Sequence, residues 1–163
     1  MRILQAAFTF VVENPAGWSA DWAWGLPLIV LTVLIHVLGL GLVRQRGLRF
    51  STRKKGSRHP IGIFVLVMGS ATLLATALHG FEAGIWAMAY RALGALPNNK
   101  TAMLYSLNAI TSYGHTNIDL AAHWQLMGAL EALNGWLLFG LTTAFLFGML
   151  EKVWATDDSG RHR

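Results

Sequence analysis

The chain has 163 residues, of which 54% are hydrophobic and only 13% charged, with a formal net charge of +5. That is too apolar for a typical soluble domain, where roughly a quarter of residues are charged, and the length accommodates one membrane domain. There is no cysteine, so a disulfide framework and a thiolate metal site are both excluded.

Residues 1–21 are expected to form an external interfacial segment. The stretch MRILQAAFTFVVENPAGW has one arginine before a short apolar core, which fits an amphipathic surface segment better than a signal peptide. Asn14-Pro15 ends it. The first transmembrane helix is expected over 22–43, since roughly 20 apolar residues cross a bilayer. A basic loop, 44–60, follows and carries Arg44, Arg46, Arg49, Arg53, Lys54, Lys55 and Arg58. Basic residues gathered between two apolar spans mark a cytoplasmic loop, so nucleic acid is not an expected partner. Residues 61–153 hold a second span, Ile61 to Tyr90, and a third, Trp124 to Val153, and 154–163 form a cytoplasmic tail. The amino terminus and the segment Arg91–His123 then lie outside, in a multi-pass protein of the cell's inner (plasma) membrane. Trp18, Trp22, Trp24, Trp86, Tyr90 and Trp124 all fall at the outer ends of spans and Trp154 at the inner side, as an aromatic belt would.

Between the second and third spans, Thr101–Ile110 is apolar but too short to cross. Asn98 or Asn99 can cap a helix that starts near Lys100 and ends near Ile110. The polar stretch Thr111–Ile118, TSYGHTNI, comes next. Polar backbone at membrane depth is tolerated only against protein or a water-filled cavity, so the order span, half-length helix, polar loop, span describes a re-entrant pore loop. The negative end of the short helix would face the loop and favour a cation.

The stretch AMLYSLNAITSYGHTNI, residues 102–118, resembles the pore helix and filter of the potassium-channel superfamily, whose common pattern is TTVGYGD or TTLGYGD. Thr111 and Ser112 match the two threonines, Tyr113 takes the Val/Leu place and Gly114 keeps the first glycine. His115, Thr116 and Asn117 replace the tyrosine, the second glycine and the aspartate. His79-Gly-Phe-Glu82, Trp86, Tyr90, and Glu131-Ala-Leu-Asn-Gly135 with the apolar run after it are similar to small bacterial two-pore-domain-like channels. The likeness covers about 60–152 and makes the first span an addition. It implies that Thr111, Ser112, Tyr113, Gly114, His115, Thr116 and Asn117 form the filter, with inward carbonyls that replace an ion's hydration shell. Such a filter needs left-handed backbone at its glycines, which β-branched Thr116 fits badly. Weak potassium selectivity follows.

Ionisable residues inside a membrane are functional candidates. His79 and Glu82 share a helical face, and Glu131 lies in the third span. These three are expected to support the pore helix, the carboxylates through Ser106, Asn108 or Thr111; binding a cation or relaying protons is the other reading. His36 is expected to be a hydrogen-bonded histidine facing the second span. His115 is read either as one of a ring of imidazoles or as a side chain turned behind the filter. Gly135, Gly140 and Gly148 serve close helix packing or a gating hinge.

The expected fold is an all-α membrane protein: three transmembrane helices with a re-entrant pore helix and filter loop, assembled as a homotetramer in the lipid bilayer. One loop of this size cannot enclose an ion path, whereas closed cyclic oligomers are common. The expected function is a cation channel passing potassium or sodium, with a non-conducting scaffold or regulatory subunit as the alternative. No HExxH and no nucleophile–base pair occurs at recognisable spacing, so no catalytic residue, bound metal or cofactor is expected. Repeat halves, which a transporter would carry, are not visible.

Overall fold

The computed structural model describes residues 15–53, 60–114 and 117–161. Four α-helices follow in order: α1 (Pro15–Arg53), α2 (Pro60–Ala92), α3 (Asn99–Ile110) and α4 (Gln125–Arg161), with a 3₁₀ turn at Ala122–Trp124 before α4. Among the described residues there is no strand. Trp18–Gly47, Ile61–Ala92 and Ala122–Lys152 are long and apolar enough to cross a membrane. Each rises about 45 Å at 1.5 Å per residue, more than the ~30 Å hydrocarbon core. The 12 residues of α3 rise about 18 Å and fall short.

Why these helices belong in lipid is visible in α2. It buries Val67, Ala71 and Ala75, then Ala83, Trp86 and Tyr90, two sets at three- and four-residue spacing that stand two turns apart on one stripe. It also exposes Val65, Leu66, Leu73, Leu74, Phe81 and Met88. A helix apolar all round belongs in a core or a bilayer, and the exposed half of this one requires the bilayer or a partner. The three helices point to a membrane-embedded, multi-pass protein.

The helices run past the expected boundaries. α1 begins at Pro15, directly after the expected break, and continues without interruption through residues 22, 44 and 53. The expected loop 44–60 is thus helical up to Arg53, because Arg, Gln and Leu are good helix formers and Gly47 alone does not stop it. Likewise α4 carries the expected tail 154–163 as far as Arg161. Residues 1–14 of the interfacial segment, 54–59 of the basic loop, and 162–163 lie outside the described residues.

The chain divides into two compact units. The first joins the described residues up to Leu31 with Ala83–Gly135. Its core gathers Trp86, Tyr90, Ala102, Tyr105, Trp124 and Met127, against which Leu28 and Ile29 of α1 pack. The second joins Thr32–Glu82 with the described residues from Trp136 onward. There Val67, Ala71 and Met149 form a smaller core, flanked by Val43, Ile63, Met68, Phe145 and Leu146.

Candidate functional site

In the first unit the chain leaves α2 through a Schellman turn. Gly94, at φ 68°, supplies the left-handed residue, with Gly94 N–H on the Arg91 carbonyl and Ala95 N–H on the Tyr90 carbonyl at 3.2 and 2.9 Å. Arg91 then ties the connection down. Its Nε donates to Asn99 Oδ1 at 3.0 Å and its Nη1 to the Leu96 carbonyl at 2.5 Å. Asn98 caps α3, its side chain accepting the Thr101 N–H at 2.8 Å. The start and end of α3 therefore match the sequence expectation.

α3 is seated by a buried polar cluster. Glu131 is fully buried on α4. Its Oε2 accepts the Tyr90 hydroxyl at 2.7 Å, and its Oε1 meets the Ser106 hydroxyl. Ser106 Oγ also reaches the Ala83 carbonyl at 2.7 Å. Helices α2, α3 and α4 thus share one set of hydrogen bonds. Tyr105 stacks edge-on against Tyr90, ring centroids 5.3 Å apart. Burial first, then the nearby acidic groups Glu131 and Asp119, pushes the Tyr105 phenol up to about 12.

Two glycines set how closely α4 approaches α3. A Cβ on Gly135 would strike the Ile110 carbonyl, and one on Gly128 would strike the Tyr105 hydroxyl. A Cβ on Gly140 or Gly148 would meet nothing within 4 Å. Among these four glycines of α4, close packing is therefore confined to Gly128 and Gly135.

The polar loop begins with a second Schellman turn. Ser112 takes the left-handed position at φ 54°; its N–H goes to the Ala109 carbonyl and that of Tyr113 to the Asn108 carbonyl, both at 2.9 Å. The Thr111 hydroxyl bonds back to the Leu107 carbonyl at 2.6 Å. Left-handed backbone occurs at Gly114 (φ 95°) and also at Ser112 and Asn117 (φ 62°). Thr111, Ser112, Tyr113, Gly114 and Asn117 are all exposed, Tyr113 at 85%. His115 and Thr116 lie outside the described residues.

Of the three residues expected to support α3, Glu131 does so through Ser106, one of the partners anticipated. His79 and Glu82 belong to the second unit and join a different cluster. The Glu82 carboxyl oxygens lie 2.9 and 3.2 Å from His36 Nδ1. His36 Nε2 and His79 Nε2 both meet the Thr142 hydroxyl, at 2.9 and 3.1 Å. His36 is thus hydrogen-bonded to the second span, as its position implied.

Sequence reasoning misassigned three aromatics and overlooked one acid. Trp86, Tyr90 and Trp124 are core residues rather than a belt, whereas Trp18, Trp22 and Trp24 remain 43–51% exposed. The signal was the Trp86–Tyr90 spacing on the Ala83–Ala87 face, together with the partner that a buried phenol requires. Asp21, on α1, is buried and takes the Met127 backbone N–H. The first turn of α4 has no acidic residue of its own, so Asp21 supplies an acceptor for one of the amide groups that a helix amino terminus leaves free.

No protein-family profile, curated protein or solved structure matches this chain.

Proposed function

We propose that this chain is one subunit of a homotetrameric pore-loop cation channel, with α3 as the re-entrant pore helix and Thr111–Asn117 lining the ion path. One observation carries the reading. A helix too short to span is capped at Asn98, held by the buried Glu131–Ser106–Tyr90 cluster, and opens into an exposed polar loop between two spans. A polar loop in so apolar a chain needs a wet cavity, which four copies around an axis would enclose. The permeant ion is potassium or sodium. Thr116 and Asn117 in place of Gly and Asp leave the outer coordination weak, so discrimination between the two ions is poor.

The test is purification into lipid, mass measurement and reconstitution into liposomes. The expected result is a four-chain complex that passes both ions, and Thr116→Gly with His115→Tyr sharpens its preference for potassium. A stable monomer or dimer, or a native protein strongly selective for potassium, contradicts the proposal.

The basic residues between the first two spans orient the subunit with the amino terminus outside and the carboxyl terminus in the cytoplasm. Cysteines introduced at Ser57 and at exposed Lys100 should react from opposite sides of sealed vesicles, the latter from outside. Labelling of Ser57→Cys from the exterior overturns the topology.

A second reading, a non-conducting scaffold or regulatory subunit with the same fold, draws on the loop's first turn. There the Thr111 hydroxyl and the Ser112 and Tyr113 amides are all bonded back to α3. Tetramers without ion flux would favour it.

A further inference from the structure

We propose that His36, His79 and Glu82 form a site for a divalent transition-metal ion of the zinc type, with Thr142 orienting both imidazoles. The site lies within the second unit and does not depend on the channel reading.

The geometry comes from three helices. His36 stands on α1, Thr142 on α4, and His79 and Glu82 one turn apart on α2. One ligand atom from each of His36, His79 and Glu82 lies within 4.8 Å of the others. Four ligands around zinc, at about 2.0–2.2 Å, stand roughly 3.3–3.6 Å from one another. The His36 Nδ1–Glu82 Oε1 and His79 Nδ1–Glu82 Oε2 separations, 2.9 and 3.7 Å, bracket that value. Small side-chain shifts would bring all three onto one ion.

The hydrogen-bond pattern is more specific than the distances. Both Nε2 atoms converge on one hydroxyl oxygen, Thr142 Oγ1, and both Nδ1 atoms face one carboxyl group, Glu82. A hydroxyl oxygen has two acceptor lone pairs, so it can take an N–H from each ring. Both imidazoles then have Nε2–H and turn their Nδ1 lone pairs toward Glu82. In this tautomer two lone pairs and a carboxylate face each other, with His36 and Glu82 fully buried, and a cation between them would compensate all three. A proton on His36 Nδ1 serves only one side, because 3.7 Å at His79 is beyond hydrogen-bond reach. A metal ion serves all three donors. Thr142 would be the outer partner that fixes tautomer and ring orientation, as metal-bound histidines require.

Ligand chemistry sets the class of ion. Two imidazole nitrogens and one carboxylate suit zinc and its first-row neighbours, whereas magnesium and calcium prefer all-oxygen shells. A bound ion would fasten α1 to α2 within this unit.

The experiment uses the full chain in lipid nanodiscs, with cobalt as a spectroscopic probe and zinc as competitor. The expected result is one cobalt per chain, with the visible absorption of a low-coordinate nitrogen–oxygen site, bleached by stoichiometric zinc. His79→Gln, at the most accessible of the three positions (28% exposed), should weaken binding more than about 100-fold. Thr142→Val should weaken it by roughly 10–100-fold, the usual effect of losing an outer partner. His123→Gln, at an exposed histidine of the other unit, should leave it unchanged. X-ray absorption of the zinc-loaded wild type needs no variant to fold and should show two imidazoles in the zinc shell. No stoichiometric cobalt, affinity indifferent to His79→Gln, or a zinc shell without two imidazoles each overturns the proposal.

Discussion

Replacing Glu131 with alanine is expected to unseat α3. The Tyr90 hydroxyl, on a fully buried side chain, would lose its Glu131 acceptor. Ser106 would keep a partner, because its single hydroxyl proton can go to the Ala83 carbonyl. One orphaned buried donor costs about 1–3 kcal/mol, and the space left by a removed carboxyl adds a cavity term of about 1–2 kcal/mol. The total, ~2–5 kcal/mol, is a large part of a typical domain's margin. Glu131→Gln should behave differently. Its amide oxygen can accept from Tyr90 while one N–H donates to Ser106, which then donates to Ala83, so only the second amide N–H lacks a partner among these groups. Hydrogen exchange over residues 102–110 reads the result directly. Faster exchange in the alanine variant and near-native protection in the glutamine variant are expected. Equal protection in all three proteins would remove Glu131 from the support of α3.

Gly135→Ala should be nearly as damaging, for a steric reason. The new methyl would collide with the Ile110 carbonyl, which is backbone and cannot swing aside as a side-chain tip would. Overpacking of this kind typically costs about 1–3 kcal/mol. The displacement would pass straight to Thr111, the residue after Ile110. Gly140→Ala makes the control, since a methyl there meets nothing within 4 Å, and alanine favours helix over glycine by roughly 0.5–1 kcal/mol. Liposome flux and thermal stability should both fall for Gly135→Ala and hold for Gly140→Ala. If Gly140→Ala abolishes flux while stability is kept, the glycines of α4 act as a hinge and the packing account fails.

The parts of this fold that were legible were those that local chemistry decides. Long apolar runs can only be spans, and Asn98 followed by Thr101 is a cap whose partner lies three residues away. Glu131 was legible because a buried acid must have partners and its depth in the third span is level with the short helix that carries Ser106, 25 positions earlier. What escaped was pairing at long sequence separation. Nothing local ties His36 to Glu82, 46 positions apart, or Asp21 to the first turn of α4. An aromatic residue near the end of a span carries two readings, headgroup belt or helix-packing core. Only the register of the neighbouring helices decided for the core at Trp86, Tyr90 and Trp124. The left-handed backbone at Ser112 carried no signal at all, since serine does not advertise it.

That serine has a consequence for the loop it begins. Gly94 and Ser112 occupy the same place in two turns with the same pair of hydrogen bonds. Glycine rests there freely, whereas a residue with a Cβ works against a penalty of roughly 1–2 kcal/mol. A difference of 1.4 kcal/mol is about tenfold in population. The turn after α2 is thus a latch held by its own preference, and the turn after α3 is one held by its surroundings. When those surroundings change, the second will open first, and it opens into the polar loop.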